Sequence, residues 1–159
     1  MTERATVLAD RLEHANNALI ATVEQISEAD WLKQCASDDR PVGVVIHHVA
    51  SAHAFVLGAA QAAAAGDPLP TLTWEMVHAD NARHANEHAH CDRVETLDLL
   101  RRNSAQAARA IRSMSDEQLA RTGTWGLDGE VTAQQVIELH MIDHVQEHLA
   151  NIEAAIRAW

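Results

Sequence analysis

The sequence predicts an all-α fold, a four-helix bundle with one long crossover between its second and third helices. Three observations predict it. Two long stretches carry apolar residues at alternating spacings of three and four, the seam pattern of packed helices. A third long stretch is apolar nearly all round. The C-terminal stretch is amphipathic and opens on a capping signal. Hydrophobic residues make up 47% of the 159, enough for one domain over residues 1–159 with a real core and small for two.

The first helix spans residues 4–26, where Leu8, Leu12, Ala15, Leu19, Thr22 and Ile26 form the seam. Residues 27–40 break this periodicity and read as a loop, and Pro41 suits the first turn of the next helix. The second helix, residues 41–65, has the composition of the most buried member of the bundle. Gly66, Pro68 and Pro70 end it. Residues 71–91 read as a partly helical crossover. Asp92 and Glu95 resemble a capping box ahead of a third helix over 93–114, with its seam at Leu97, Leu100, Ser104, Ala107, Ile111 and Met114. Residues 115–118 start a short extra turn, and the glycine-rich 121–131 forms a loop with the makings of a small hairpin. Thr132 and Gln135 cap the fourth helix, which runs to the C-terminus.

Composition narrows the function classes. Twelve basic against 23 acidic residues leave a net charge of −11, which fits neither a nucleic-acid backbone nor an anionic membrane surface. The N-terminus shows no basic segment followed by an apolar run, and the alanine-rich 59–65 segment is too short to span a bilayer. Cys35 and Cys91 form no metal or redox pair and read as structural thiols, so a cytoplasmic protein with reduced cysteines is expected. Trp31, Trp74, Trp125 and Trp159 read as packing anchors, with Trp74 and Trp125 placed to rim a pocket. No phosphate-binding loop, dinucleotide fingerprint or nucleophile elbow is present.

The chemistry lies in the 11 histidines. His140, His144 and His148 follow one another at intervals of four along the stripe that also holds Ile137, Met141, Ile152 and Ile156. His144 and His148 can reach one ion from one helix, and a third ligand must come from elsewhere. The second helix offers His47, His48 and His53; His48 shares the face of Val45, Ala52 and Phe55, expected to point inward. Three histidines and an open position make a catalytic type of metal site. The same three residues also read as core histidines with ordinary hydrogen bonds, and spacing alone leaves both readings open. Asp143, Glu147 and His140 are candidates for the site's surroundings, with Trp74 at its rim. His78, His84, His88 and His90 read as a solvent-facing run, the other possibility being contact with the site mouth. His144–His148 and His84–His88 each match H-x-x-E-H; two matches in one histidine-rich chain show how cheap that protease pattern is.

Taken together, PVGVVIHHVASAH, HMIDHVQEHLANI and the crossover WEMVHADNARHANEHAHCDRVETLDLLRRNSA resemble the DinB/YfiT-like superfamily over nearly the whole chain. The shared pattern is a histidine before an aliphatic residue in the second helix, here His48 and Val49, then HxxxH ahead of an aliphatic residue, here His144, His148 and Ile152. The resemblance implies an up-up-down-down bundle, often a homodimer, with one divalent metal on three histidines. Zinc or nickel comes first for such a site, then iron or manganese. It also implies a small-molecule substrate, because characterised relatives include S-transferases that use the low-molecular-weight thiols bacillithiol or mycothiol, and a mycothiol-dependent maleylpyruvate isomerase. The expected function is therefore activation of water or a thiol, as a hydrolase or thiol S-transferase; the alternative is a non-catalytic dimeric bundle that binds ligands or serves a stress response. Two features depart from the family pattern. Arg40-Pro41 stands where the family has Trp-Ser or Trp-Thr, and the crossover is unusually rich in histidine, a source of an extra or competing ligand.

Overall fold

A computed structural model describes residues 1–158; the fourth tryptophan expected as an anchor, Trp159, lies outside the described residues. Helix α1, Glu3–Gln25, is capped by the Thr2 hydroxyl, which accepts from the Ala5 N–H, and buries Leu8, Leu12, Ala15, Leu19 and Val23. The segment read as plain loop is ordered by polar contacts that leave no apolar period. Ser27 and Asp30 form a capping box for α2, Glu28–Trp31, and β1, Gln34–Cys35, pairs antiparallel with β2, Arg40–Pro41. Asp39 closes the turn between them at a φ of 52°, a left-handed conformation that aspartate tolerates.

Helix α3, Val42–Ala65, follows directly and ends at Gly66, which takes the left-handed cap with a φ of 80°. By length and composition α3 is apolar enough to cross a bilayer, with a mean hydropathy of 1.6, yet 61% of that window is buried inside the bundle, as befits a core helix. The crossover carries α4, Trp74–Glu87, which has no buried residue and rides on the outside. Helix α5, Arg93–Arg112, starts on the Asp92 cap and buries Leu100, Ser104, Ala107 and Ile111. After α6, Asp116–Ala120, the glycine-rich stretch forms a hairpin of β3, Thr122–Trp125, and β4, Gly129–Thr132. The Thr132–Gln135 capping box then opens the C-terminal helix, made of α7, Ala133–Ile137, a π-helical turn, Glu138–Ile142, and α8, Asp143–Arg157.

Side-chain bridges give the helix directions. Arg112 binds Glu13 at 2.7 Å and Asp10 at 2.5 Å, and Arg101 binds Glu24, so α1 and α5 are antiparallel. Arg4 donates to Gln134 at 2.5 Å, and Lys33 donates to the Ile156 carbonyl at 3.1 Å, so α1 and the C-terminal helix run together. Cys91 donates to the Gly43 carbonyl at 3.4 Å and Asn103 to that of Ala50 at 2.8 Å, which makes α3 and α5 parallel. Both α1 and α3 contact α5 and the C-terminal helix, so the four form a ring. Round this ring from the C-terminal helix the directions read up, up, down, down; in chain order from α1 they read up, down, down, up. The difference from an up-up-down-down chain order comes from the connections. The compact 26–41 hairpin reverses the chain, and the 66–92 crossover carries it back along the bundle so that α5 repeats the direction of α3.

The interior is two apolar clusters with polar residues between them. One holds Leu8 and Leu12 with Val56, Ala60, Ile111, Val136 and Met141; the other holds Leu19 and Val23 with Val45, Ile46, Leu100, Val145 and Ile152. At the sequence boundary between them stand Asn16 on α1, His53 on α3, Ser104 on α5 and His144 on the C-terminal helix. His53, only 1% exposed, donates from Nε2 to Asn16 Oδ1 at 2.8 Å. Burial pushes the His53 pKa from 6.5 down to about 4. The unfolded chain therefore takes up a proton below pH 6.5 that the folded chain refuses until about pH 4. The contribution of neutral His53 is intact above pH 6.5 and is lost on acidification at up to about 1.4 kcal/mol per pH unit. Urea unfolding of the metal-free protein at several pH values should show a shallower acid loss for His53→Gln than for the parent between pH 6.5 and 4. An identical slope in the two proteins would contradict this account.

Candidate metal centre

The central site is built by α3 and the C-terminal helix. Residues 42–46 of α3 are all buried, which phases the helix so that His47 and His48 flank the packed face as half-buried neighbours. Opposite them, the π-helical turn inserts its wider loop immediately before His144, closed by the Asp143 N–H bonding to the Glu138 carbonyl. His144 and His148 follow one turn apart on α8.

The Nε2 atoms of these three residues converge. His48 Nε2 lies 3.0 Å from His144 Nε2, and His148 Nε2 lies 3.2 Å from the same atom. One donor nitrogen from each ring falls within 4.8 Å of those of the other two. His144 Nε2 carries either one hydrogen or one lone pair, so it cannot make a well-directed hydrogen bond to both neighbours at once. Ligands at the usual zinc–nitrogen distance of about 2.0–2.1 Å, spread at octahedral to tetrahedral angles, stand about 2.9–3.4 Å apart. The spacings of 3.0 and 3.2 Å fit that range.

Electrostatics keeps two of the rings, His48 and His144, neutral. Burial, reinforced by the neighbouring imidazoles, pushes His48 far below the ordinary histidine range and His144 down to about 3. The Nδ1 of His148 faces Asp38 Oδ2 at 3.3 Å, an ion-pair distance too bent for a fully directed hydrogen bond. Asp38 is also bound by Arg40 at 2.9 Å, and the His148 and Arg40 side chains together hold its carboxyl far below the usual carboxylate range. A carboxylate on the outer nitrogen of an imidazole favours the tautomer whose inner nitrogen is a free lone pair.

Several expectations need correction here. Asp143 and Glu147, candidates for the surroundings of the site, make no hydrogen bond or ion pair with the triad among the described residues, and Glu147 is exposed. The carboxylate at the triad is Asp38, from the turn between β1 and β2; only the polarity of its SDDR run hinted at a role. Phe55 is 46% exposed and stacks against Trp125 instead of pointing inward. His53, placed further round the helix by its phase, is the deeply buried histidine of α3. His140 stands one turn above His144, with Nε2 2.5 Å from Asp128 Oδ2 and its ring edge-on to Trp125. Trp74 is 52% exposed and donates to the Leu127 carbonyl at 3.3 Å, while Trp31 and Trp125 are buried anchors.

The crossover histidines divide. His78 and His90 are exposed, as a solvent-facing run would be. His84 and His88 turn inward to His47, which forms a second histidine triad beside the first. His47 Nδ1 is 2.8 Å from His84 Nε2, and the rings of His48 and His84 are 5.8 Å apart, edge to face.

A family model, that of the DinB superfamily, matches residues 11–152 of the chain. Among solved structures, the fold is similar to YfiT from Bacillus subtilis, described as a probable metal-dependent hydrolase with an unusual four-helix bundle topology. The TM-score is 0.77 at 17% identity, over 99% of this chain and 89% of that one. No curated protein matches.

Proposed function

Because this chain belongs to the DinB superfamily, we propose that it is a metal-dependent enzyme, with a divalent ion on His48, His144 and His148. Its reaction is activation of a water or a low-molecular-weight thiol, in a hydrolase or thiol S-transferase. The observation that supports this most is the convergence of three Nε2 atoms from two helices on one point. The likeness to YfiT, itself described as a probable metal-dependent hydrolase, favours the hydrolytic branch. Three imidazole ligands suit zinc or nickel, and accept iron or manganese.

When bound, such an ion supplies Lewis-acid chemistry and lowers the pKa of a water or thiol toward neutrality. The chain's own residues do the rest. Burial keeps His48 and His144 unprotonated at neutral pH, so their lone pairs are available without displacing a proton. Asp38 orients His148 through Nδ1, and Arg40 holds Asp38 in place. A closed, apolar core around His48 would favour a non-catalytic bundle; the half-burial of His48 among imidazoles supports the metal reading.

The test is a screen of activated esters, amides and thiol acceptors with protein stripped by chelator and then reloaded. Activity should vanish on stripping and return with the metal; turnover that survives stripping overturns the proposal. Asp38→Asn should weaken metal binding about 10–100-fold, the usual cost of losing an outer carboxylate. Chelator-competition titration measures this, and parental affinity in Asp38→Asn would remove Asp38 from the site.

A further inference from the structure

We propose that His47, His84 and His88 form a second metal site, which docks the crossover helix α4 onto the bundle beside the central triad. Each contributes one nitrogen within 4.8 Å of the other two. They come from two elements far apart in sequence: His47 from α3, His84 from the last turn of α4, and His88 from its C-terminal cap. His47 Nδ1 and His84 Nε2 are 2.8 Å apart, a ligand-to-ligand spacing like that of the central triad. The His88 ring stacks on His47 at 4.0 Å with 23° between planes, so His88 turns about its side-chain torsions to aim a nitrogen at the shared point.

Two further observations favour a cation here. His47 and His88 line a groove of about 430 Å³ whose walls also carry Asp92, Glu95 and Asp98 against the single cation Arg102, and this net acidic lining raises the local concentration of cations. Helix α4 buries none of its own residues, so apolar packing does not explain what holds its C-terminal end against α3. Ligation across His47, His84 and His88 does. Three imidazole ligands define the ion as a divalent metal of borderline softness, for which zinc is the natural probe. The site stands independently of whether the central triad holds an ion.

The experiment uses the full chain without an affinity tag, stripped by chelator, reloaded with zinc and desalted before elemental analysis. The parent should retain two zinc ions per chain, and His84→Ala and His144→Ala one each. A parent that retains one ion, with His84→Ala also retaining one, overturns the second site and leaves the central one standing. Two ions in both the parent and His84→Ala also overturn it. If His144→Ala retains two, it is the central reading that fails. Trypsin cleavage after the exposed Arg83 of α4 supplies the second measurement. Free zinc at ten times its Kd should slow that cleavage about tenfold in the parent and in His144→Ala, and leave it unchanged in His84→Ala. Equal cleavage with and without zinc in the parent overturns the docking. His84 lies on a helix with no buried residue, so the bundle folds without it; His88→Ala serves as an independent check.

Discussion

Replacing His144 with alanine is expected to weaken metal binding at the central site by more than about 100-fold, beyond the loss that follows removal of an outer partner. His144 is the hub of the triad. Its Nε2 makes both close approaches, 3.0 Å to His48 and 3.2 Å to His148, so the variant leaves two nitrogens that no longer share a neighbour. A 100-fold loss corresponds to about 2.7 kcal/mol of binding free energy. The fold should tolerate the change, because the imidazole removed is neutral and borders apolar clusters that remain intact. Competition against a chromophoric chelator reads the affinity, and thermal unfolding of the metal-free variant checks the fold. Parental affinity at the central site in a folded variant would refute the assignment.

A large stability effect is expected from Gly43→Ala. A Cβ on Gly43 would sit 2.3 Å from Trp31 Cε2, 2.5 Å from Nε1 and 2.7 Å from Cζ2. Trp31 is buried, so the indole has no open space to retreat into. Alanine in a helix interior ordinarily gains up to about 1 kcal/mol over glycine, but overpacking of this kind costs about 1–3 kcal/mol or more. The overlap with three ring atoms decides the sign, and the variant should melt lower, by about 2–4 °C for each kcal/mol lost. Gly58→Ala on the same helix is the control. Its Cβ would meet nothing within 4 Å, so it should be neutral or stabilising. A Gly43→Ala protein that melts at or above the parent would overturn this reading. Trp31 shares an apolar cluster with Cys35, on the first strand of the hairpin that carries Asp38, so metal affinity should fall alongside stability.

The four helices were legible because their seams are periodic: Leu8, Leu12, Ala15 and Leu19 recur at helical spacing and are buried on that spacing. The capping box at Thr132–Gln135 was legible for a similar reason, since both partners lie within one turn, whereas at Asp92 only the Asp92 side chain caps and Glu95 does not return the bond. The meeting of His48 with His144 and His148 was left open by spacing alone, and the family resemblance, more than the phase of α3, singled out those three. Asp38 was not legible, because its approach to His148 depends on a turn closing against a helix more than a hundred residues later. Phe55 was misplaced for another reason. Helix α3 is apolar nearly all round, so its pattern has no polar face from which to read the phase, and Phe55 ended up half exposed. The π-helical turn left no mark in Glu138–Ile142, whose residues would also suit an ordinary helix. His84 and His88 sit on a helix with no buried stripe, and only the tertiary fold shows that they reach His47.

The polar row between the two apolar clusters has a consequence for alignment. A bundle of smooth apolar helices can slide by a turn and repack with little penalty. Here, sliding α3 by one turn would carry His53 away from Asn16 and set an unpaired imidazole against leucine or valine. Leaving such a buried group without its partner costs about 1–3 kcal/mol. The bond from Asn103 to the Ala50 carbonyl pins α5 to α3 in the same way. The row therefore works as a key that sets the vernier of the bundle: it fixes which residues of neighbouring helices stand level. His48 can meet His144 and His148 only when that setting is correct, so the polarity that interrupts the core is also what brings the three imidazoles to one height.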